Sequence, residues 1–114
     1  MAKRGTSKWH SVLHEDFIAA AYGGRRSRTS GAADHEDGDV VCDEVLIECK
    51  MSGVKSPAKS ASVKLDVLEK IAAEAYSVGK TPLMALRMRN PESFLADRDG
   101  FIDVMVRLVR DDAA

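Results

Sequence analysis

The stretch Gly38-Asp39-Val40-Val41-Cys42-Asp43-Glu44-Val45-Leu46-Ile47-Glu48-Cys49-Lys50 constrains this chain more than any other. Two short runs rich in β-branched residues, Val40–Cys42 and Val45–Cys49, flank the acidic pair Asp43-Glu44. That is the pattern of a tight β-hairpin or a bent strand pair. Side chains alternate along a strand, so Leu46, Glu48 and Lys50 share one face and Val45, Ile47 and Cys49 the other. A hairpin would bring Asp39 beside Glu48 and Lys50. Two carboxylates and an ammonium converging on one point can hold a divalent cation and orient a water. The plainer reading is a turn aspartate followed by an exposed polar face. Against it, Glu48 directly follows the apolar run Val45-Leu46-Ile47 and precedes Cys49, as in a central strand, where a pair of charges needs a reason.

Upstream, residues 1–6 are expected to fray, Ser7 to act as N-cap, and Lys8–Tyr22 to form a helix ended by Gly23-Gly24. Trp9, Leu13, Phe17 and Ala20, with Val12 beside them, lie at helical spacing and predict the buried face. Glu15 falls at the margin of that stripe and Asp16 nearer its middle. An acid there is costly unless it meets a partner or a metal. One of the two is therefore expected to look into a site; the alternative is that both are solvated. Arg25–Ser30 reads as a short basic strand and residues 31–38 as an irregular acidic loop. Within that loop Asp34, His35, Glu36 and Asp37 are metal-capable residue types, but they specify no geometry.

Downstream, Met51–Ser62 reads as a mobile Ser/Lys/Gly loop. It leads into a helix capped by Ser60 or Ser62 and running to about Val78, with Val63, Val67, Leu68, Ile71, Ala75 and Val78 on its apolar face. Pro82 opens a strand over Leu83–Arg89 that places Leu83, Ala85 and Arg87 on one side. Asn90-Pro91 is a turn, Glu92–Asp97 a helical turn, Asp99-Gly100 a hairpin signal, and Phe101–Val109 the last strand. The order helix, strands, helix, strand, strand predicts an α/β fold: a mixed central sheet of four to five strands flanked by helices.

The 114 residues suit one domain spanning 1–114, with 111–114 frayed at the end. No run approaches the ~20 apolar residues of a membrane span. No apolar stretch follows the first residues, so no secretory leader is expected and the cytoplasm is the expected compartment. Cys42 and Cys49 lie inside apolar runs and read as buried thiols of a reducing compartment, with a disulfide or metal pair as the lesser alternative. The net charge of −1 gives no global pull on nucleic acid, but Arg25, Arg26, Arg28, Lys50, Lys55, Lys59 and Lys64 make a local basic surface possible. No Ser/His/Asp order or phosphate-cradling glycine loop stands out. Chemically, Asp39, Glu48 and the backbone carbonyl of Cys49 form a hard-oxygen set suited to Mg²⁺. Lys50 is placed to orient a water or neutralise developing phosphorane charge.

Gly38-Asp39-Val40 followed by Ile47-Glu48-Cys49-Lys50 resembles the motif of the PD-(D/E)xK nuclease superfamily, with Gly where the superfamily's name has Pro. With Arg28-Thr29-Ser30-Gly31 upstream and an acid on the first helix, the chain looks like Holliday junction resolvases of the archaeal type and their phage relatives, over about residues 5 to 90. The resemblance implies a restriction-endonuclease-like fold and a Mg²⁺-dependent endonuclease, with Mn²⁺ as substitute, that hydrolyses phosphodiesters in DNA recombination and repair. Asp39 and Glu48 would ligate the metal and Lys50 would assist a metal-activated water. Glu15, or Asp16 as fallback, would complete the metal site. Arg28 and Ser30 would lie near the scissile phosphate, Arg25 and Arg26 on the backbone, and Lys55 and Lys59 on DNA. Branched or double-stranded DNA and a homodimeric partner follow, with Leu83–Met88 or Phe101–Val109 as candidate dimer surface. Two alternatives stay open. One is the same fold acting on a nick, flap, mismatch or single strand. The other is a non-catalytic DNA-binding module.

Overall fold

In the computed structural model, which describes residues 3–27 and 38–109, the acidic pair Asp43-Glu44 turns the chain between two antiparallel strands. These are β2 (Val40–Val41) and β3 (Val45–Ser52), in the register Val40↔Ile47 and Val41↔Leu46. The helix α1 (Ser7–Tyr22) and the two-residue β1 (Arg25–Arg26) precede them. After them come α2 (Leu65–Ser77), β4 (Thr81–Arg89) and β5 (Phe101–Arg107). The sheet order is β1-β2-β3-β4-β5, with β3 and β4 parallel and every other neighbouring pair antiparallel. Parallel neighbours need a crossover, and α2 supplies it. The architecture is α/β, a five-stranded mixed sheet with its helices packed against it, as the element order predicts. Among the described residues no helix is long and apolar enough to cross a membrane.

Strand alternation divides the core into two layers. On the α1 side Val40, Cys42, Ile47, Leu83 and Ala85 meet Ile18 and Ala19, with Val45, Cys49 and Met105 packed against them. On the α2 side Leu46 and Met84 meet Ile71 and Ala75. Leu46 and Ile47, adjacent in sequence, thus anchor opposite layers. Cys42 and Cys49 are free thiols.

Several local expectations change. The buried side of α1 is His14, Ile18 and Ala19, while Leu13, Phe17 and Ala20 are exposed. The buried side is turned by about one residue's rotation from the expected stripe, with Ile18 and Ala19 packed on the strand residues of the α1 layer. The Arg87 guanidinium lies 4.7 Å from the Phe17 ring and 4.4 Å from the Phe101 ring, holding Phe17 at the rim of the sheet. Residues 3–6 form a turn in which the Thr6 hydroxyl donates to the Lys3 carbonyl and accepts from Trp9 N, so Thr6 and not Ser7 is the N-cap. Gly23, at φ 68°, ends the helix as expected.

The segment after β3 is pinned. Ala58 N donates to the Arg89 carbonyl and the Asn90 side chain donates to the Ala58 carbonyl. Neither Ser60 nor Ser62 caps α2: Lys64 holds the cap position without a side-chain bond, and Asp66 in the first turn complements the helix dipole instead. Val78 lies beyond the helix and is exposed. Glu92–Asp97 forms successive reverse turns, with Ser93 N bonded to the Asn90 carbonyl and Ala96 N to the Ser93 carbonyl. β5 ends at Arg107, two residues short of Val109. The basic strand is confined, among the described residues, to Arg25–Arg26. Arg28, Ser30 and the acids of the 31–37 loop lie outside the described residues, as do 111–114.

Candidate metal and nucleic-acid site

The hairpin pairing ends at Val40↔Ile47, yet β3 runs on to Ser52. Among the described residues no strand pairs with β3 beyond Ile47 on the β2 side. Asp39 fills the notch where the two strands part. Its N–H donates to the Ile47 carbonyl at 2.9 Å, and its Oδ2 accepts from Cys49 N at 2.9 Å. A side chain thus takes the place of the next ladder acceptor. In an extended strand the N–H and C=O of one residue point the same way. The Cys49 carbonyl therefore faces the Asp39 side too, where the sequence places it as a candidate ligand.

Gly38 sets the angle of approach. Its φ is +71°, and a Cβ there would lie 2.8 Å from Leu46 Cγ. Its N–H donates to Glu74 Oε1 at 3.1 Å. A proline could supply neither the dihedral nor the donor. Ser27 holds the other side of the turn: its hydroxyl donates to the Gly38 carbonyl and its N–H to the Asp39 carbonyl.

Asp39 is flanked by two acids on opposite sides of the sheet. On the α1 side, a cleft of 170 Å³ is lined by Lys8, Ser11, Val12, Glu15, Arg26, Ser27 and Asp39. Burial, then the Asp39 charge, push the Glu15 carboxyl up to about 7, with Arg26 opposing and Asp16 adding. Asp16 itself is over half exposed and pairs with Arg26, Nε to Oδ1 at 2.9 Å. Of the two helix acids, Glu15 is the one that reaches the notch. This follows from the turned helix face. On the α2 side, burial, then the Asp39 charge and the hydrogen bond a protonated Glu48 donates to the Asp39 carboxylate, push Glu48 up to about 7, against Lys70 and with Glu74 adding. Asp39 and Glu48 thus act on each other electrostatically at the notch.

Lys50 is placed differently from the sequence expectation. It lies on the Glu48 face, but its ammonium donates to the Ser62 carbonyl, in the segment leading to α2. The cation beside the carboxylates is Lys70, whose own pKa is raised despite burial through its bond to Glu74 and the charges of Glu48, Glu74 and Asp39. Lys70 and Glu74 escaped the sequence reading because an i,i+4 Lys–Glu pair on a helix usually marks a solvated face. The available signal was position: each directly precedes a core residue, Ile71 and Ala75. Lys8 likewise precedes Glu15 by two helical turns.

Of the candidate DNA contacts, Arg26 lines the cleft while held by Asp16, and Arg25 is exposed on β1. Lys55 lines a second cleft of 300 Å³ with Ser7, Ser11, Met51, Gly53, Val54 and Ser56. The two clefts adjoin at Ser11 and follow the N-terminal half of α1. Lys59 is exposed and lines neither.

No family model, curated protein or solved structure matches the chain. The chemistry of the donor set therefore carries the argument. Mg²⁺ usually takes one or two carboxylates and keeps several waters. Glu48, pushed up by burial and by the Asp39 charge, is a carboxyl whose proton a divalent cation beside Asp39 would displace. That fits the ion. Among the described residues, no three Asp, Glu, His or Cys side chains converge as a ready-made cage, so water would complete the coordination.

Proposed function

We propose that the chain is a metal-dependent, structure-selective DNA endonuclease that hydrolyses phosphodiesters, with four-way junctions as its substrate. One observation carries this reading: Asp39, at the parting of β2 and β3, is held by Cys49 N and shares a cleft with Glu15, and burial with the Asp39 charge pushes both Glu15 and Glu48 up to about 7. Carboxyls whose ionisation is disfavoured by burial and by a neighbouring acid are a mark of sites that take a cation.

Asp39, Glu48 and the Cys49 carbonyl would hold Mg²⁺ or Mn²⁺, with Glu15 completing the acidic rim. The ion would supply Lewis-acid polarisation of a phosphoryl oxygen and acidify water. Lys70 balances the negative charge of Glu48 and Glu74. Lys50, released from the Ser62 carbonyl, is placed on the Glu48 face to meet a phosphate. Lys8 and Arg26 at the α1 cleft, and Lys55 in the adjoining one, neutralise the backbone of a bound strand. Phosphate contacts of this kind position DNA without reading its sequence. A homodimer, as the resemblance implies, would present two centres to opposed strands. Val104 and Val106 on edge strand β5, both about 40% exposed, offer apolar surface for it. A prokaryotic or phage-infected cytoplasm is the compartment such a substrate implies.

Cleavage of labelled four-way junction, flap, linear duplex and single strand, compared in Mg²⁺, tests the substrate. Paired symmetric nicks in the junction are expected, with much slower cutting of the others. Equal rates on all four would leave a nuclease without junction selectivity. Salt-dependent, metal-indifferent binding with no cutting would point to a DNA-binding module instead.

A further inference from the structure

Four backbone atoms of the Gly38–Asp39 turn are held by specific partners, and one of those partners comes from the opposite layer. Ser27 bonds both carbonyls and Ile47 accepts from Asp39 N, all from neighbouring strands or their ends. Gly38 N is held by Glu74 on α2, across 36 residues of sequence. Glu74 is mostly buried, 17% exposed, and its Oε2 pairs with Lys70 Nζ at 3.1 Å. Helix packing alone would be served better by a neutral residue. The charge does have a use at Gly38 N–H, since an ionised acceptor makes the stronger hydrogen bond. That N–H belongs to the residue whose left-handed backbone aims Asp39 into the notch.

We propose that Glu74 is a positioning residue for Asp39: through Gly38 N–H it fixes the turn that presents the Asp39 carboxylate to Glu48 and Cys49, and Lys70 fixes Glu74. The proposal rests on the reading of Asp39 and Glu48 as the metal centre for its functional consequence, though not for its structural one. Groups that orient metal ligands in this way typically matter about 10–100-fold in metal affinity.

The test compares wild type, Glu74→Ala, Glu74→Gln and Lys70→Ala by amide hydrogen exchange, Mn²⁺ binding and junction cleavage. The Cys49 amide is the reporter, because it donates to Asp39 Oδ2. In Glu74→Ala, exchange at Gly38 and Cys49 is expected to accelerate while amides of α2 beyond Ala75 keep their protection. Mn²⁺ affinity falls by about 10-fold or more, and kcat on the junction falls with KM little changed. Glu74→Gln, which keeps an acceptor for Gly38 N–H, restores most of each loss. Lys70→Ala shifts Cys49 exchange in the same direction and keeps the proposal testable if Glu74→Ala does not fold. Unchanged Cys49 exchange in Glu74→Ala, or in Lys70→Ala should the former not fold, overturns it; so does a Gln variant as impaired as Ala. A wild type that binds no Mn²⁺ and cuts no DNA would instead remove the metal-centre reading, and Cys49 exchange would still decide the role of Glu74.

Discussion

Asp39→Asn and Glu48→Gln are each expected to slow cleavage of a four-way junction by about a thousandfold or more while leaving junction binding intact. The size follows from the several kcal/mol that a correctly held cation contributes to a phosphoryl transition state; about 4 kcal/mol is a thousandfold in rate. The substitutions are chosen to spare the fold. Asparagine keeps an oxygen where Asp39 Oδ2 accepts from Cys49 N. Glutamine keeps a hydrogen-bonding partner for Asp39 on the Glu48 side. Neither removes a cation of the adjoining clefts, and each removes a negative charge from a surface that must meet phosphates. Binding should therefore persist or tighten. Gel-shift titration in Ca²⁺ and single-turnover cleavage in Mg²⁺ separate the two effects. Wild-type cleavage by either variant would place the chemistry elsewhere.

Asp103→Ala is expected to have the largest effect on stability, about 3 kcal/mol. Arg87 is 5% exposed, and its Nε and Nη2 donate to the two Asp103 oxygens at 2.7 and 2.9 Å, across the β4–β5 register pair. Removing one partner of a buried pair strands the other charge, at about 3–5 kcal/mol. Asp103 is a quarter exposed, so water reaches part of the vacated space and the lower end of that range applies. For a domain of this size the melting temperature should drop by roughly 10 °C. His14 stands on the same spot, its Nε2 3.9 Å from Asp103 Oδ1. Burial first, then Arg87, lower its pKa to about 4, while Asp103 opposes. Removing Asp103 takes away the one charge favouring the imidazolium, so His14 cannot compensate for it. A loss under about 1 kcal/mol in calorimetry would show that water solvates Arg87 freely. The pair also touches the helix that carries Glu15, since Arg87 lies 4.7 Å from the Phe17 ring.

That rotation is also where reading from sequence reached its limit. The hairpin and its facing were legible because strand alternation is strict: Leu46 with Glu48, Ile47 with Cys49. The crossover α2 was legible from the apolar spacing of Val67, Ile71 and Ala75 between two strand patterns. The face of α1 was not, since Trp9, Leu13 and Phe17 form as regular a stripe as His14 and Ile18. The choice depends on tertiary packing against strand residues such as Val40, Ile47, Leu83 and Ala85, which no local pattern in α1 announces. The face of Lys50 follows from strand alternation, but its acceptor, the Ser62 carbonyl, does not, because the path of the 53–64 segment decides what its long side chain meets. Glu74 was invisible for a similar reason: its partner Gly38 N–H is fixed by tertiary folding alone.

Mn²⁺ binding to the purified chain, followed by electron paramagnetic resonance across pH, tests the central claim most directly. The sign of the pH dependence is set by Glu48. Below about 7 the folded chain holds a proton there that the cation must displace, so affinity should rise with pH up to about 7 and level off above it. A saturable site with that profile is expected in wild type, and its loss in both Asp39→Asn and Glu48→Gln. A wild type with no saturable Mn²⁺ site, or a site whose affinity is unchanged in Asp39→Asn, would contradict that claim.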